Sequence, residues 1–488
     1  MQAIVKEAKE LKFGKKKLYI NGELVDGANN DIAYATCPHD NEPIAQVAQA
    51  TLEDTERALE TAEAGFKIWS KLPLEERLAW IDKLRNKLLE NSDLLRTAVS
   101  FEMGKTWEAT AEDIGSITDS LKFYADEMRV KEGFSIEDRA GTHTHRMVYQ
   151  PLGVVTAFLA WNFPLLNLGF KLGPALAAGC CIVIKASESS SISSLIIAEL
   201  AHEINFPKGV ITVLCGNRKN VGVPLCESTI PRLVTMIGST FTAQKLIEQS
   251  VKTSIKRYSM ECGGNAPFIL FNDGNMEDAV GITTAIKFGG NAGQVCVAPN
   301  RLFIQEGVYK EFVDKLVANA NSTKLGHGKE NTPDMGPVAN LAQLKSVENF
   351  VADCVAQGGE ILAGGKKIEG KGCYYTPTVI AMDNPKAPIL QHEVFGPVCV
   401  VLKFKTKEEV MVYANDSDAG LASYVFTAND VLADEIAMEL EFGEVQQNGV
   451  KYDINLPHLG VKNSGISMDC SKYALDDYLI LKRISKKI

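Results

Sequence analysis

Residues 154–186 read VVTAFLAWNFPLLNLGFKLGPALAAGCCIVIKA, and this stretch decides the fold class. A β-branched apolar run leads into a turn around Asn162 and Pro164, then into a helical pattern as far as Ala178, then into a second β-rich run. A membrane span would have to bury polar groups such as Asn162 and Lys171 in lipid at high cost. The stretch therefore predicts a buried strand–turn–helix–strand unit of a parallel α/β sheet.

Short β-rich runs alternate with helical patterns on both sides of this unit. Upstream, residues 17–27 (KLYINGELVDG) predict a hairpin with an Asn-Gly turn, and residues 52–126 carry apolar residues at helical spacing. Downstream, two successive sets of β-rich runs are separated by helical patterns: GVITVLCG (209–216), LVTMIGS (233–239), APFILFND (266–273), RLFIQEGV (301–308) and CVVLKFKT (399–406). The pattern predicts an α/β fold with two doubly wound units.

Length and composition narrow the class of protein. A chain of 488 residues is too long for one core, so two or three domains are expected. The net charge of −10 argues against a nucleic-acid partner, which calls for a basic surface. The eleven cysteines include no CxxC pair, which predicts reduced thiols. The N-terminus, MQAIVKEAKELKFGKKK, has no apolar core like that of a signal peptide, so a soluble cytoplasmic protein is expected.

Five short motifs occur in an order that carries more information than any one of them. They are AWNFP (160–164), GST (238–240), MECGGN (260–265), GQVC (293–296) and HEVFGP (392–397).

From about residue 18 to the C-terminus, this combination resembles the aldehyde dehydrogenase superfamily, in particular its NAD(P)-dependent, hydrolytic, non-acylating members. The resemblance implies an NAD(P)-binding domain formed by residues 1–128 and 152–260 and a catalytic domain formed by residues 261–470. It also implies a small β arm, formed by residues 129–151 and 471–488, that joins subunits into a homodimer or homotetramer.

The chemistry of aldehyde oxidation fits the matched residues. An aldehyde can give up hydride only after a nucleophile has turned its carbonyl into a tetrahedral adduct, and a thiolate suits that step. The resemblance implies that Cys296 is this nucleophile and that Glu261 activates the water that hydrolyses the resulting thioester. Apolar neighbours in the sequence predict that Glu261 is buried, with a raised pKa. Asn162 and the backbone N–H of Cys296 are expected to stabilise the oxyanion.

A second group of residues is expected to bind the cofactor. Gly238 and Ser239 lead from a strand into a helix, where a pyrophosphate could dock, although Ala243 replaces the family's glycine. Glu188 would accept a bond from the ribose 2′-hydroxyl and repel a 2′-phosphate, which favours NAD⁺ over NADP⁺. The same resemblance implies that Lys185 is both a catalytic and a cofactor-binding residue. It also implies that the other cofactor-binding residues are Trp161, Ser187, Glu393 and Phe395.

Departures from the family pattern point to the substrate. His458 replaces the aromatic residue of the usual Pro-Phe-Gly-Gly, and Phe170 stands where some relatives have an arginine. Lys451 lies in a shortened loop nearby, and the pocket set is completed by Asn167, Val295 and Val297. These changes predict a small polar or anionic aldehyde of the lactaldehyde, sulfolactaldehyde or semialdehyde type. The histidines have no metal-ligand spacing, so no catalytic metal is expected.

Three alternative functions stay open. The first is a CoA-acylating aldehyde dehydrogenase, which is disfavoured because such relatives generally lack a glutamate at the position of Glu261. A catalytically inactive cofactor-binding relative is disfavoured by the intact Cys296, Glu261 and Asn162. A Cys–His hydrolase is disfavoured because no histidine stands in a recognisable family context. The particular aldehyde and the size of the oligomer are not fixed by these patterns.

Overall fold

A computed structural model describes residues 11–329 and 332–488, so the first ten residues of the predicted cofactor domain lie outside it. The larger of its two main sheets has eight strands, of which the central five are parallel. In spatial order the strands are Gly465–Ile466, Arg257–Glu261, Pro231–Ile237, Val154–Phe158, Cys181–Lys185, Ile211–Leu214, Leu18–Ile20 and Glu23–Val25. The predicted Asn-Gly hairpin forms the last edge, with Asn21 and Gly22 at positive φ as its tight turn requires.

The second main sheet has seven strands, of which six are parallel and one edge strand is antiparallel. In spatial order they are Glu360–Ala363, Thr378–Ala381, Val398–Phe404, Pro299–Gln305, Ala266–Leu270, Ala422–Phe426 and Glu444–Gln447. Each main sheet packs into its own buried apolar cluster. The predicted doubly wound α/β fold is therefore confirmed.

Helices cover the faces of both sheets, as parallel connections require. The first begins with a capping box, in which Thr51 and Asp54 satisfy each other's backbone N–H groups. The α-helices are Leu52–Trp69, Leu74–Glu90, Ser92–Met103, Thr110–Val130, Pro164–Ala178, Ile192–Glu203, Val223–Glu227, Thr240–Ser250, Met276–Lys287, Tyr309–Ser322, Leu341–Ala356, Lys407–Asn415, Asp430–Glu439 and Leu475–Tyr478. Within residues 11–329 and 332–488, none of them has the length and apolar character of a membrane span.

Three small sheets complete the fold. Strands Leu479–Lys487, His143–Pro151 and Phe134–Ile136 form an antiparallel arm. Strands Lys15–Lys16, Pro43–Ala48 and Ile32–Thr36 form a second small sheet, and Ala419–Gly420 with Val461–Lys462 form a third.

Two segments depart from the predicted domain boundaries. Gly465–Ile466, placed by sequence in the catalytic domain, hydrogen-bonds to Met260 and Glu261 at the edge of the eight-stranded sheet. Residues 471–478, placed in the arm, instead pack Leu475 and Tyr478 into the core of that sheet. Both departures arise because the chain returns to the first domain before it enters the arm.

The candidate site lies where the strands of the larger sheet end. The carboxyl ends of Val154–Phe158, Pro231–Ile237 and Arg257–Glu261 lead directly into AWNFP, Gly238–Ser239 and the glycine pair 263–264. In open parallel sheets, ligands bind in the crevice outside these ends. All three loops line one cleft of about 930 Å³, together with loops of the second domain.

Candidate active site

The thiol of Cys296 lies in this cleft, on the turn before strand Pro299–Gln305. Ala292 and Gly293 both have positive φ, and a side chain at position 293 would collide with the carbonyl oxygen of Gly396. Glycine is therefore required for the turn that presents the thiol. Cys296 is partly exposed, whereas the other ten cysteines are buried, and all eleven are unpaired.

A network of buried amides surrounds the turn. Asn162 donates one Nδ2 hydrogen to the carbonyl of Gln294 at 3.1 Å and accepts from Nδ2 of Asn167 at 3.3 Å. Asn291 donates to the carbonyls of Asn162 and Gln294. An amide nitrogen carries two hydrogens, so the second one on Asn162 stays available for an oxyanion in the cleft. Asn167, predicted to meet the substrate, also lines the cleft, but its amide bonds to Asn162 and to the Ala160 carbonyl and so orients Asn162.

The loop that carries Asn162 is itself held by a buried ion pair. Lys105 Nζ lies 2.6 Å from the Asp113 carboxylate, and both side chains are fully buried. Asp113 in turn accepts a bond from the backbone N–H of Leu165 at 3.1 Å, at the start of helix Pro164–Ala178. The charge-assisted bond to this helix end fixes the position of the loop relative to the cleft.

Glu261 ends strand Arg257–Glu261 and points into the cleft, with 2% of its surface exposed. Neither carboxylate oxygen has a hydrogen-bond partner among the described residues. Burial holds the pKa of Glu261 well above its usual value, and the carboxylates of Asp469 and Glu444 act in the same direction, while His458 and Lys171 oppose them. A carboxylate with a raised pKa is a stronger base than an ordinary glutamate.

His458 lines the same cleft as Cys296 and pairs with a carboxylate there. Its Nδ1 lies 2.6 Å from Oε1 of Glu444. Burial disfavours the charged imidazole, but its interactions with Cys296 and Glu444 outweigh burial and hold the pKa of His458 well above its usual value. His458 was predicted to be a free cation that could pair with an anionic substrate. That prediction is wrong, because the tertiary structure brings the Glu444 carboxylate to its Nδ1.

A second buried ion pair supports this histidine. Lys171 Nζ lies 2.6 and 2.7 Å from the two carboxylate oxygens of Asp469, and both side chains are almost completely buried. The backbones of His458 and Asp469 exchange two hydrogen bonds, of 2.9 and 2.8 Å. The imidazole is therefore attached to a rigid part of the core.

The other predicted substrate residues also line the cleft. Phe170, Val295 and Val297 present apolar surface. The carbonyl of Val297 accepts from the Tyr424 hydroxyl at 2.6 Å. Lys451 was predicted as a free cation, but its Nζ lies 3.0 Å from the Asp453 carboxylate and its side chain is 71% exposed. Neither Lys451 nor His458 is an unpaired charge, so the electrostatic case for an anionic substrate is weaker than the sequence indicated.

The cofactor side of the cleft contains five of the predicted residues. Gly238 and Ser239 precede helix Thr240–Ser250, whose first N–H groups have no helical partner and can bind a phosphate. The rings of Trp161 and Phe395 meet edge to face at 5.3 Å. The methyl of Ala243, where the family pattern has glycine, packs into the buried apolar cluster.

Glu393 contacts the glycine pair of the MECGGN motif. Its Oε1 accepts from the N–H of Gly264 at 3.3 Å, and a side chain at position 263 would collide with the carboxylate. Burial raises the pKa of Glu393 to about 8. The helix end, the paired rings and this acceptor fit a dinucleotide laid along the cleft.

The remaining predicted residues, Lys185, Ser187 and Glu188, do not line the described cleft. They follow the neighbouring strand, Cys181–Lys185, where Lys185 Nζ lies 3.7 Å from Oε1 of Glu188. The Glu188 side chain is 64% exposed. Among the described residues, no cluster of three His, Cys, Asp or Glu side chains could hold a metal ion.

Glu444, which lines the cleft, and the buried Lys171–Asp469 pair behind His458 were not predicted from the sequence. Glu444 belongs to a polar strand, EVQQ, whose pattern carries no sign of a catalytic carboxylate. Lys171 and Asp469 are 298 residues apart, and nothing in the sequence pairs them.

The fold and the cleft define an α/β oxidoreductase of the NAD(P)-dependent dehydrogenase class. A family model described as the aldehyde dehydrogenase family matches residues 25–484. The chain belongs to that family.

Individual relatives agree with this assignment. Glutarate-semialdehyde dehydrogenase of Pseudomonas putida is 34% identical over 478 residues, which cover 98% of each chain. The NADP(+) succinate-semialdehyde dehydrogenase of Escherichia coli is 33% identical over 469 residues, 96% of this chain and 97% of the relative. The crystal structure of lactaldehyde dehydrogenase from Escherichia coli has a TM-score of 0.94 and 31% identity, and covers 97% of this chain and 99% of that chain.

Proposed function

We propose that this protein oxidises small polar aldehydes to carboxylic acids, with Cys296 as the nucleophile. The observation that carries the proposal is the single cleft in which the exposed thiol, the Asn162 amide and the buried Glu261 carboxyl group meet a dinucleotide-binding surface. The family assignment and the semialdehyde and lactaldehyde dehydrogenases among its relatives support the same reaction.

In the proposed mechanism, the Cys296 thiolate adds to the carbonyl carbon, and the new oxyanion is held by the Asn162 amide and the backbone N–H of Cys296. Trp161, Gly238, Ser239, Glu393 and Phe395 would hold NAD(P)⁺, which would supply the hydride acceptor. Loss of hydride leaves a thioester on Cys296. Glu261 then takes a proton from water, and the hydroxide displaces the thiolate and releases the acid.

The substrate is proposed to be short and polar. The cleft presents apolar side chains, among them Phe170, Val295 and Val297, together with the polar groups of Asn162 and Tyr452. Because Lys451 and His458 already have carboxylate partners, hydrogen bonds contribute more to substrate binding than a free cation does. The relatives act, by name, on two semialdehydes and on lactaldehyde, which are short polar aldehydes.

NAD⁺ is proposed as the preferred cofactor. Glu188 follows the strand next to the central one, and a carboxylate there repels a 2′-phosphate. The Escherichia coli relative is named for NADP(+), so the rates with NAD⁺ and with NADP⁺ have to be compared directly. Lys185, 3.7 Å away, and Ser187 are proposed to share the ribose contact.

The chain is proposed to assemble into a homodimer or homotetramer through the antiparallel arm. Strand Leu479–Lys487 is an edge strand whose side chains are exposed beyond Leu479, and Ile480, Leu481 and Ile484 put apolar surface on it. Such an edge is a site for further strand pairing. Eleven unpaired cysteines suit a reducing compartment, and the cytoplasm is proposed as the place of action.

One experiment tests the reaction, the substrate class and the cofactor together. The protein is incubated with NAD⁺ or NADP⁺ and a panel of lactaldehyde, glutarate semialdehyde, hexanal and benzaldehyde. We expect NADH without added CoA, with higher kcat/KM for the short polar aldehydes. A requirement for CoA would replace hydrolysis with acyl transfer to a thiol. A preference for hexanal or benzaldehyde would refute the polar substrate while leaving aldehyde oxidation intact.

A further inference from the structure

The charged side chains that line the cleft are mostly carboxylates. They are those of Glu112, Asp119, Glu261, Glu393, Glu444 and Asp453. The cations Lys105, Lys451 and His458 also line it, but each lies within 3.0 Å of a carboxylate oxygen. Among the described residues, no arginine lines the cleft. The cleft is therefore acidic, and its cations are already paired.

We propose that the aldehyde selected by this cleft is positively charged, a short ω-aminoaldehyde in its ammonium form, and that Glu112, Asp119 and Glu444 select it. The inference rests on the proposed aldehyde oxidation and names its substrate class. It sets this protein apart from the two relatives that are named for semialdehydes of dicarboxylic acids, because those substrates carry a carboxylate.

Two of the carboxylates lie on one face of helix Thr110–Val130. Glu112, Ser116 and Asp119 follow each other at spacings of four and three residues, and all three line the cleft. Glu112 and Asp119 are exposed, and neither forms a salt bridge with another described residue. Unpaired carboxylates at the wall of a cleft attract cations and repel anions, which raises the local concentration of a cationic substrate.

Phe170 comes from the neighbouring helix, Pro164–Ala178. The two helices touch at Gly169, where a side chain would lie 2.7 Å from Cα of Ile117, so only glycine allows this close contact. The contact keeps Phe170 in a fixed position relative to the acidic face of helix Thr110–Val130. An aromatic ring attracts a cation through its face, whereas the arginine that some relatives have at this position would repel one.

Glu444 supplies a buried acceptor at the wall of the cleft. Its side chain is 9% exposed, its Oε1 is paired with His458, and its Oε2 has no hydrogen-bond partner among the described residues. A buried carboxylate oxygen without a partner costs free energy, which a donor on the substrate would recover. An ammonium group has three donors and no acceptor, while a substrate carboxylate has no donor. Oε2 of Glu444 therefore favours an ammonium group over a carboxylate.

Three aldehydes with the same chain and different ends test this inference. They are 3-aminopropanal, butanal and succinate semialdehyde, which end in an ammonium, a methyl and a carboxylate group. The amine stays protonated at about pH 8, because the pKa of an alkylammonium group is about 10. We expect kcat/KM for 3-aminopropanal to exceed that for succinate semialdehyde by about 10-fold or more at low salt. The KM for 3-aminopropanal should rise with ionic strength, whereas the KM for butanal should not.

Substitutions identify the groups responsible. The double variant Glu112→Gln, Asp119→Asn should lower the ratio of kcat/KM for 3-aminopropanal to kcat/KM for butanal by about 3- to 10-fold, the range for two exposed charges. The matched double variant Glu56→Gln, Glu60→Gln removes two charges from exposed residues outside the cleft and should leave that ratio as in wild type. Phe170→Arg should shift the preference toward succinate semialdehyde by about 10-fold or more, because it adds a cation that the cleft lacks.

Glu444→Gln tests the buried acceptor by the same ratio, which cancels any loss that the two aldehydes share. The ratio should fall, because glutamine keeps an acceptor oxygen but loses the charge. A wild-type preference for succinate semialdehyde over 3-aminopropanal, or a ratio unchanged in the Glu112, Asp119 double variant, would overturn the inference. Either result leaves the proposed reaction intact if NADH still forms and Cys296→Ala abolishes it. Failure to form NADH from any of the three aldehydes would refute the reaction itself.

Discussion

Replacing Glu261 with glutamine should separate the two halves of the proposed reaction. Glutamine keeps the size of the side chain but cannot take a proton from water. Glu261 is 2% exposed and has no hydrogen-bond partner, so the substitution removes no bond that the described residues make. Thioester formation should therefore continue, while its hydrolysis slows.

The size of the effect follows from the role of a general base. Such a base contributes about 10²- to 10⁴-fold to a proton-transfer step, which is about 2.7–5.4 kcal/mol of activation free energy. The pKa of Glu261 is held well above its usual value, chiefly by burial. A base works in its deprotonated form, so wild-type hydrolysis should speed up as pH rises through that pKa. The glutamine variant should lose this pH dependence.

Stopped-flow measurement of NADH provides the assay. Glu261→Gln should give a rapid burst of about one NADH per active site, followed by slow turnover. Cys296→Ala serves as the control without a burst. If the variant turns over at the wild-type rate, another group activates the water. If the burst disappears as completely as in Cys296→Ala, Glu261 acts in thiol activation and not only in hydrolysis.

Three further substitutions have defined outcomes. Cys296→Ala should abolish NADH production while NAD⁺ still quenches protein fluorescence, and residual turnover above about 1% would show that the nucleophile is wrong. Glu188→Gln should lower the ratio of kcat/KM for NAD⁺ to kcat/KM for NADP⁺, because it removes a charge that repels the 2′-phosphate. A wild-type protein that prefers NADP⁺ would contradict this role for Glu188. Lys171→Met should destabilise the protein by about 3–5 kcal/mol in urea unfolding, because the Asp469 carboxylate is left buried and unpaired. The double variant with Asp469→Leu should recover most of that loss, and equal instability of the two would refute the explanation.

The sequence alone determined the fold class and the motifs of the site. Alternation of β-branched runs with helical patterns is a local property of the chain, and it fixes which face of each element is buried. Cys296, Glu261 and Asn162 were found because each lies in a short motif that resembles the aldehyde dehydrogenase pattern. The structure places all three in one cleft, as the order of the motifs along a parallel sheet requires.

Only the tertiary structure decided the charge state of the pocket. His458 looked like a free cation because its partner, Glu444, is 14 residues away on a strand with no distinguishing pattern. Lys171 and Asp469 are separated by 298 residues and meet only because the chain returns to the first domain near its end. Hydrogen-bond partners and burial depend on contacts between distant segments, and these contacts set the pKa of a side chain. The sequence therefore identifies the residues expected to do the chemistry, whereas the folded cleft determines their hydrogen-bond partners and pKa values.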